Sequence, residues 1–201
     1  MKCRIPTSMI LCCAMALANA QTSPAPTNIS SELQKLFDDD QADRTSDANT
    51  PADWAAMNLR DEARQARVAE LIKADALHTG ADYYHAALIL QHGYEPNDFL
   101  LAHDLCVISI SKGESRAKWL AAATLDRFLG SIGRPQRYGT QSKRRFPHPS
   151  RLAPVDPDVP DSLRREMDVP SLAEARAKEA KVIEAFEASQ RAKQQGQAGS
   201  K

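Results

Sequence analysis

The chain has 201 residues, and its 26 lysines and arginines balance 26 aspartates and glutamates, for a formal charge of zero. That balance argues against a nucleic-acid binder held mainly by charge, since a basic surplus is the usual footprint of such proteins. Hydrophobic residues make up 42% and aromatics 5%, enough at this length for one domain with a sizeable core plus tails.

The start, Met1-Lys2-Cys3-Arg4, leads into an apolar run from Met9 to Leu17 and then Ala18-Asn19-Ala20. A cationic start, a short hydrophobic run and an Ala-x-Ala end are the parts of a cleaved secretory signal, and the run is shorter than the roughly 20 residues a membrane span needs. Leu11 before Cys12 departs from the lipoprotein pattern, which wants a small residue there. Residues 1–20 are therefore expected to be a signal peptide, the mature protein to be periplasmic or secreted in a bacterium, and the mature chain to lack a transmembrane segment. Cleavage after Ala20 removes Cys3, Cys12 and Cys13 and leaves Cys106 alone, so no internal disulfide forms even in an oxidising compartment. It also removes Lys2 and Arg4, leaving 24 basic and 26 acidic residues, a formal −2.

Residues 21–29 read as a flexible leader, being small, polar and proline-containing. Ser31-Glu32-Leu33-Gln34 has the pattern of a capping box, followed by an apolar stripe of Leu33, Leu36 and Phe37. Asp38-Asp39-Asp40 with Asp43 offers a cation site or half of a carboxylate pair, but reads first as a solvated helix end, because charge runs usually face water. Thr50-Pro51 starts a second helix, hydroxyl at the cap and proline at the first helical position. It carries Trp54, Met57, Val68, Leu71 and Ile72, and is expected to stop near Gly80.

The middle of the chain has the strongest pattern. Helices are expected over about 81–92, from a cap at Asn97 to Gly113, and from near Glu114 to Gly133, each closed by a glycine. Short connections of this kind imply antiparallel neighbours. Similar stretches recur after about 33 residues, the period of a helical-hairpin repeat, though fewer than three repeats are present. The fold class expected is all-α: a helical-hairpin bundle with a repeat-like centre over 30–141, an extended loop and a peripheral C-terminal helix. Residues 142–170 hold six of the twelve prolines and read as a linker. Residues 171–193, opened by a Ser171…Glu174 capping box, read as the C-terminal helix, and 194–201 as a disordered tail.

Candidate chemistry concentrates in the central helices. His85 and His92 are seven apart and share a helix face. Counting across the two turns brings His103 level with a point between them, and Asp126 level with His103. Imidazoles and a carboxylate at one height form a candidate catalytic or divalent-metal site, with His92, His103 and Asp126 as its core. Recognised tight metal spacings, a nucleophile elbow and a phosphate-binding glycine loop are absent, and no cofactor is specified. Cys106 sits in an apolar stripe as a core thiol. Asp126 and Arg127 diverge as helical neighbours, so separate partners are expected. Lys143-Arg144-Arg145 with Phe146 and His148 is basic with an aromatic, a place where an anionic surface could bind; three charges contribute little at physiological salt, so it reads as a solvated loop.

Two polar elements resemble a known pattern. Asp40, Gln41, Asp43 and Arg44 form an Asp-Gln-x-Asp-Arg element, and Gln136-Arg137-Tyr138-Gly139-Thr140-Gln141 closes the central stretch. With Gln91-His92-Gly93, Ala102-His103 and Asp126-Arg127, the region from about 33 to 141 resembles an uncharacterised bacterial family of helical proteins of unknown function, ending in Gln-x-Tyr/Phe-Gly-Thr-Gln. The resemblance implies a fold and no reaction. The alanine-rich hairpins are also similar, more weakly, to Sel1-like and tetratricopeptide repeats, which bind proteins.

Such polar elements must be hydrogen-bonded if buried, since an unsatisfied group costs about 1–3 kcal/mol. They are expected either to pin the post-helical loop to the bundle or to line a cleft formed by Asp40, Gln41, Asp43, Arg44, His92, His103, Asp126, Arg127, Gln136, Tyr138, Thr140 and Gln141. The leading expectation is an exported binding or interaction module for a protein or small-molecule ligand. The rival is a hydrolase-like enzyme, metal-dependent or not, that works through His92, His103 and Asp126. An immunity or inhibitor protein is a weaker variant of the first.

Overall fold

A computed structural model describes residues 28–45, 50–143 and 147–198. The expected signal peptide and most of the leader lie outside the described residues, as do Arg144, Arg145 and Phe146. The architecture is all-α: seven helices and a single two-stranded ladder among the described residues. No helix there is long and apolar enough to cross a membrane.

Helix α1 (Ile29–Thr45) begins two residues before Ser31, so Ser31 lies inside the helix and does not cap it. Glu32 instead reaches across to the next helix, where it takes Arg67 Nε at 2.6 Å. Helix α2 (Pro51–Lys73) starts on the Thr50 cap, with Thr50 and Asp53 satisfying each other's backbone N–H. It ends well before Gly80, because the chain turns at Asp75 in the left-handed region. Helix α3 (Gly80–Leu90) opens on the same device, Thr79 with Asp82. Helix α4 (Pro96–Ser111) is capped from Glu95, not Asn97. Asp98 accepts the N–H groups of Tyr94 and Glu95, and a Cβ on Gly93 would collide with the Asp98 side chain. Gly93 is therefore required by a close approach at the next helix's cap.

Helices α3, α4 and α5 (Ala117–Ser131) are joined by short turns, and α4 packs most extensively on α3 and α5. Their contact faces are aliphatic and small: Ala86 to Leu90, Ala102, Leu105, Cys106, Ala117 and Leu120 to Ala123 supply most of the buried core. Burial pushes the Cys106 thiol up to about 12, as befits a core residue. Leu33 of α1 and Val68 and Leu71 of α2 close the core from the other side. Trp54 and Trp119 are both about half exposed, although the helical periodicity counts them with the apolar positions.

The segment 142–170 is not a linker. Strands β1 (Ser142–Lys143) and β2 (Arg151–Leu152) pair antiparallel, with Lys143 directly opposite Arg151. A short helix, α6 (Asp161–Glu166), follows, with Val159, Arg164 and Val169 buried. Prolines here break helices without preventing packing, since carbonyls and side chains still bond across the segment. Helix α7 (Leu172–Ala198) starts at the Ser171–Glu174 box and touches the rest through β2, where Leu152 N–H donates to Glu179. It continues past 193, into the stretch read from sequence as a tail.

Candidate functional site

Asp40, Asp43 and Arg44 fall on one face of α1 by their i, i+3, i+4 spacing, and Met57, Arg60, Asp61 and Arg64 do the same on α2. The two faces meet in an ion-pair network. Arg44 Nη2 reaches Asp61 at 2.7 Å and Asp40 at 3.1 Å, while its Nη1 lies 3.0 Å from the Met57 sulfur. Arg64 Nη2 bridges Asp61 at 2.6 Å and Asp43 at 2.7 Å. Arg60 grips Asp43 through Nε and Nη2. Three carboxylates thus match three guanidiniums.

Asp40 is fully buried and Asp43 is ion-paired, so neither belongs to a solvated helix end; only Asp38 and Asp39 of that run are exposed. Helix periodicity makes the difference, turning 40, 43 and 44 toward α2 while 38 and 39 face water. Burial works against the Asp40 charge, but the His92 ring and the Arg44 charge outweigh it and hold the carboxyl below its ordinary range. Arg60's hydrogen bond, with help from Arg64, brings Asp43 down to about 2. His92 joins from the end of α3. Its Nε2 lies 3.4 Å from Arg44 Nε and 3.5 Å from Asp40. Neutral, it accepts from the guanidinium; protonated, it donates to the carboxylate. Gln41 donates to Asp40 as well.

A second polar assembly holds the loop after α5. Asp126 is 1% exposed, and its two oxygens take four donors: Arg137 N–H at 2.7 Å, Tyr138 N–H at 3.0 Å, Thr140 N–H at 3.0 Å and the Thr140 hydroxyl at 2.8 Å. The loop's carbonyls go to a cation. Arg164, 1% exposed, donates to the carbonyls of Arg137, Tyr138 and Val159 and to Asp161. Gln136 completes the closure, donating to the Gln141 and Ala153 carbonyls and accepting the Gln141 N–H. Gly139 sits at φ +82°, a left-handed conformation that lets Tyr138 and Thr140 both face Asp126. The loop 136–141 is therefore folded between a buried carboxylate that gathers its donors and a buried guanidinium that gathers its acceptors.

The structure divides the sequence-derived cleft into these two assemblies. Asp40, Gln41, Asp43, Arg44 and His92 come together at α1–α2; Asp126, Gln136, Tyr138, Thr140 and Gln141 come together at the loop. His103 belongs to neither. Its Nδ1 lies 2.9 Å from the Ala121 carbonyl, which can only accept, so Nδ1 carries the proton. His85 turns toward α1, stacked near Phe37 at 4.7 Å between ring centres, and both its ring nitrogens are buried without a partner. Counting residues across a turn sets height along a helix and leaves the azimuth open, so His103 comes level with a point between His85 and His92 and still faces a different neighbour from either. Among the described residues no group of three or more His, Cys, Asp or Glu side chains is arranged to hold a metal ion.

Arg127 stands apart. Its Nε is buried with no hydrogen-bond partner, and burial, followed by the charge of Arg44, lowers its pKa. It lines a cavity of about 320 Å³ with Phe99, Arg134, Lys143 and Pro154. A second cavity, about 330 Å³, lies across Lys143, Ala153 and Pro154 and adds His148 and Arg151. Asp61, Arg64 and Arg164 escaped the sequence reading. The first two repeat the 3–4 spacing of 40, 43 and 44 and could have been matched to it; Arg164 lies in a segment with no periodic signal. Comparison with family models, with curated proteins and with solved structures gave no match.

Proposed function

We propose that the protein is an exported helical binding or interaction module whose ligand, a small molecule, sits in the cavity between α5 and the loop that follows it. The observation that carries the reading is how the polar groups are spent. Asp126, Gln136, Thr140 and Arg164 are committed to the fold, whereas Arg127, which lines the cavity, keeps a buried donor without an acceptor. A bound molecule would supply the counter-charge that the chain does not give Arg127. We include in the proposal the likeness to the uncharacterised bacterial helical family, whose two polar elements correspond to the two assemblies.

The competing reading is a hydrolase working through His92, His103 and Asp126. Against it stand three different partners: Arg44 and Asp40 for His92, the Ala121 carbonyl for His103, and four loop donors for Asp126. A general base needs a free lone pair aimed at substrate, and both Asp126 oxygens already accept two bonds each.

The test is native mass spectrometry of the mature chain, exported behind its own leader and purified gently. A stoichiometric adduct released on denaturation supports the module. Turnover of an ester, amide or phosphoester substrate that disappears in both His92→Ala and His103→Ala overturns it in favour of the enzyme.

A further inference from the structure

The two cavities meet along Lys143, Ala153 and Pro154, and every ionisable group that lines them with side-chain hydrogen-bonding capacity left over is basic. Arg127 and Arg134 lie on one side, Lys143 on the shared ridge, and Arg151 and His148 on the other. The one carboxylate in the lining, Asp126, is saturated by the loop. None of Arg127, Arg134, Lys143 or Arg151 forms a salt bridge among the described residues, while Arg44, Arg60, Arg64, Arg67, Arg116 and Arg164 all do.

Two features make this a site and not a scatter of surface charges. Lys143 and Arg151 are direct cross-strand partners, an arrangement in which like charges repel and weaken the ladder. A guanidinium nitrogen is also buried and unbonded at Arg127, where desolvation without compensation is costly. An anion in the seam offsets the first cost by relieving the repulsion and the second by supplying counter-charge to the Arg127 guanidinium. Arg127 and Arg134 can each present a two-pronged donor to a phosphate or carboxylate, and Phe99 and Pro154 offer apolar walls to the rest of the molecule.

We infer that the seam between α5 and the β1–β2 ladder binds a small molecule carrying two or more phosphate or carboxylate groups, one meeting Arg127 and Arg134 and another meeting Lys143 and Arg151. This inference rests on the binding-module reading and names its ligand class.

The experiment follows backbone amide shifts of residues 127–143 and 151–154 by NMR as the intact mature chain is titrated with pyrophosphate, with citrate, and with neutral glycerol. Wild type, Arg127→Gln, Lys143→Gln and, as a remote control, Arg67→Gln are compared. Saturable shifts with pyrophosphate or citrate, weakened at least tenfold by Arg127→Gln and by Lys143→Gln but not by Arg67→Gln, establish the site. The stronger of the two probes then separates phosphate from carboxylate ligands. Arg127 has no partner to lose, so Arg127→Gln is expected to fold with an unchanged or higher Tm, which keeps the comparison valid. Equal shifts with glycerol overturn the anionic class and leave a binding cavity standing. No shift with any probe overturns both. Anion binding that Arg127→Gln and Lys143→Gln leave intact also overturns the inference.

Discussion

Between α1 and α2 side chains bond to side chains, whereas around the loop 136–141 they bond to backbone. The first arrangement is exchangeable in principle: three carboxylates and three guanidiniums can be replaced by apolar groups of similar shape, and the burial of paired charge is close to neutral for stability. The second cannot be exchanged, because the amide N–H and C=O groups remain whatever surrounds them and must find partners when buried. Asp126 and Arg164 are therefore structural necessities of this loop, while Asp61 and Arg64 are one solution among several.

The comparison is sharpest in double substitutions. Asp126→Leu is expected to destabilise by about 4 kcal/mol or more, since several buried donors lose their acceptor at about 1–3 kcal/mol each. Adding Arg164→Met should make matters worse, because the carbonyls of Arg137, Tyr138 and Val159 then also lose their donor. Asp61→Leu alone should cost about 3–5 kcal/mol, because three guanidiniums, the buried Arg64 among them, are left to share two carboxylates. Here, however, adding Arg64→Met should recover much of that loss, leaving Arg44 with Asp40 and Arg60 with Asp43. Chemical denaturation of the four variants decides it. If the loop pair rescues itself as the α1–α2 pair does, the distinction between side-chain and backbone partners is wrong.

How much of this was legible in the sequence follows the same division. The Thr50-Pro51 start, the aliphatic central helices and the two polar elements could be read, because caps and periodicity are local signals. The grouping of Asp40, Asp43 and Arg44 was also available from their 3–4 spacing, although the aspartate run around them suggested solvent. Arg164 was not legible. Its role depends on the loop folding back from Asp126 over α6, a contact between distant segments in a proline-rich stretch without period. The cationic seam was hidden by arithmetic. A whole-chain charge near zero says nothing of where the charges sit, and the Lys143 region alone looked like a solvated loop.

His85 extends the comparison to a buried polar group with no partner at all. Burial, aided by the charge of Arg116 and opposed by Asp82, Asp38 and Glu114, lowers its pKa below 6.5. The folded state then resists a proton that the unfolded chain accepts, so its effect is absent at pH 8 and destabilises as pH falls below about 6.5. His85→Leu removes no hydrogen bond. Its stability relative to wild type should therefore rise between pH 7 and pH 5, as measured by urea denaturation at each pH. A difference that stays flat across that range would mean that His85 is solvated in the folded state, and one that falls would mean that it is charged there.

The smallest effect is expected where the contacts look strongest. Arg60 grips Asp43 with three bonds of 2.8 to 3.1 Å, yet its side chain is 51% exposed. Water screens such a pair, and holding a long side chain in one geometry offsets most of what is gained. Asp43 also keeps Arg64. Arg60→Ala should leave the Tm unchanged within error at 0.5 M salt, where exposed charges are screened over about 4 Å. At low salt it should move the Asp43 carboxyl, which Arg60 and Arg64 hold at about 2, part of the way back toward its ordinary 3.8, as followed by carboxyl-carbon NMR. A depressed carboxyl stabilises above its unfolded pKa and loses that contribution as pH falls through about 2, so any cost of the substitution belongs near neutral pH and should fade in acid. By linkage the carboxyl shift and any loss of Tm should appear together at low salt and shrink together at 0.5 M salt. If Arg60→Ala costs as much as Asp61→Leu, the six-residue network acts as one unit and burial is not what ranks its members.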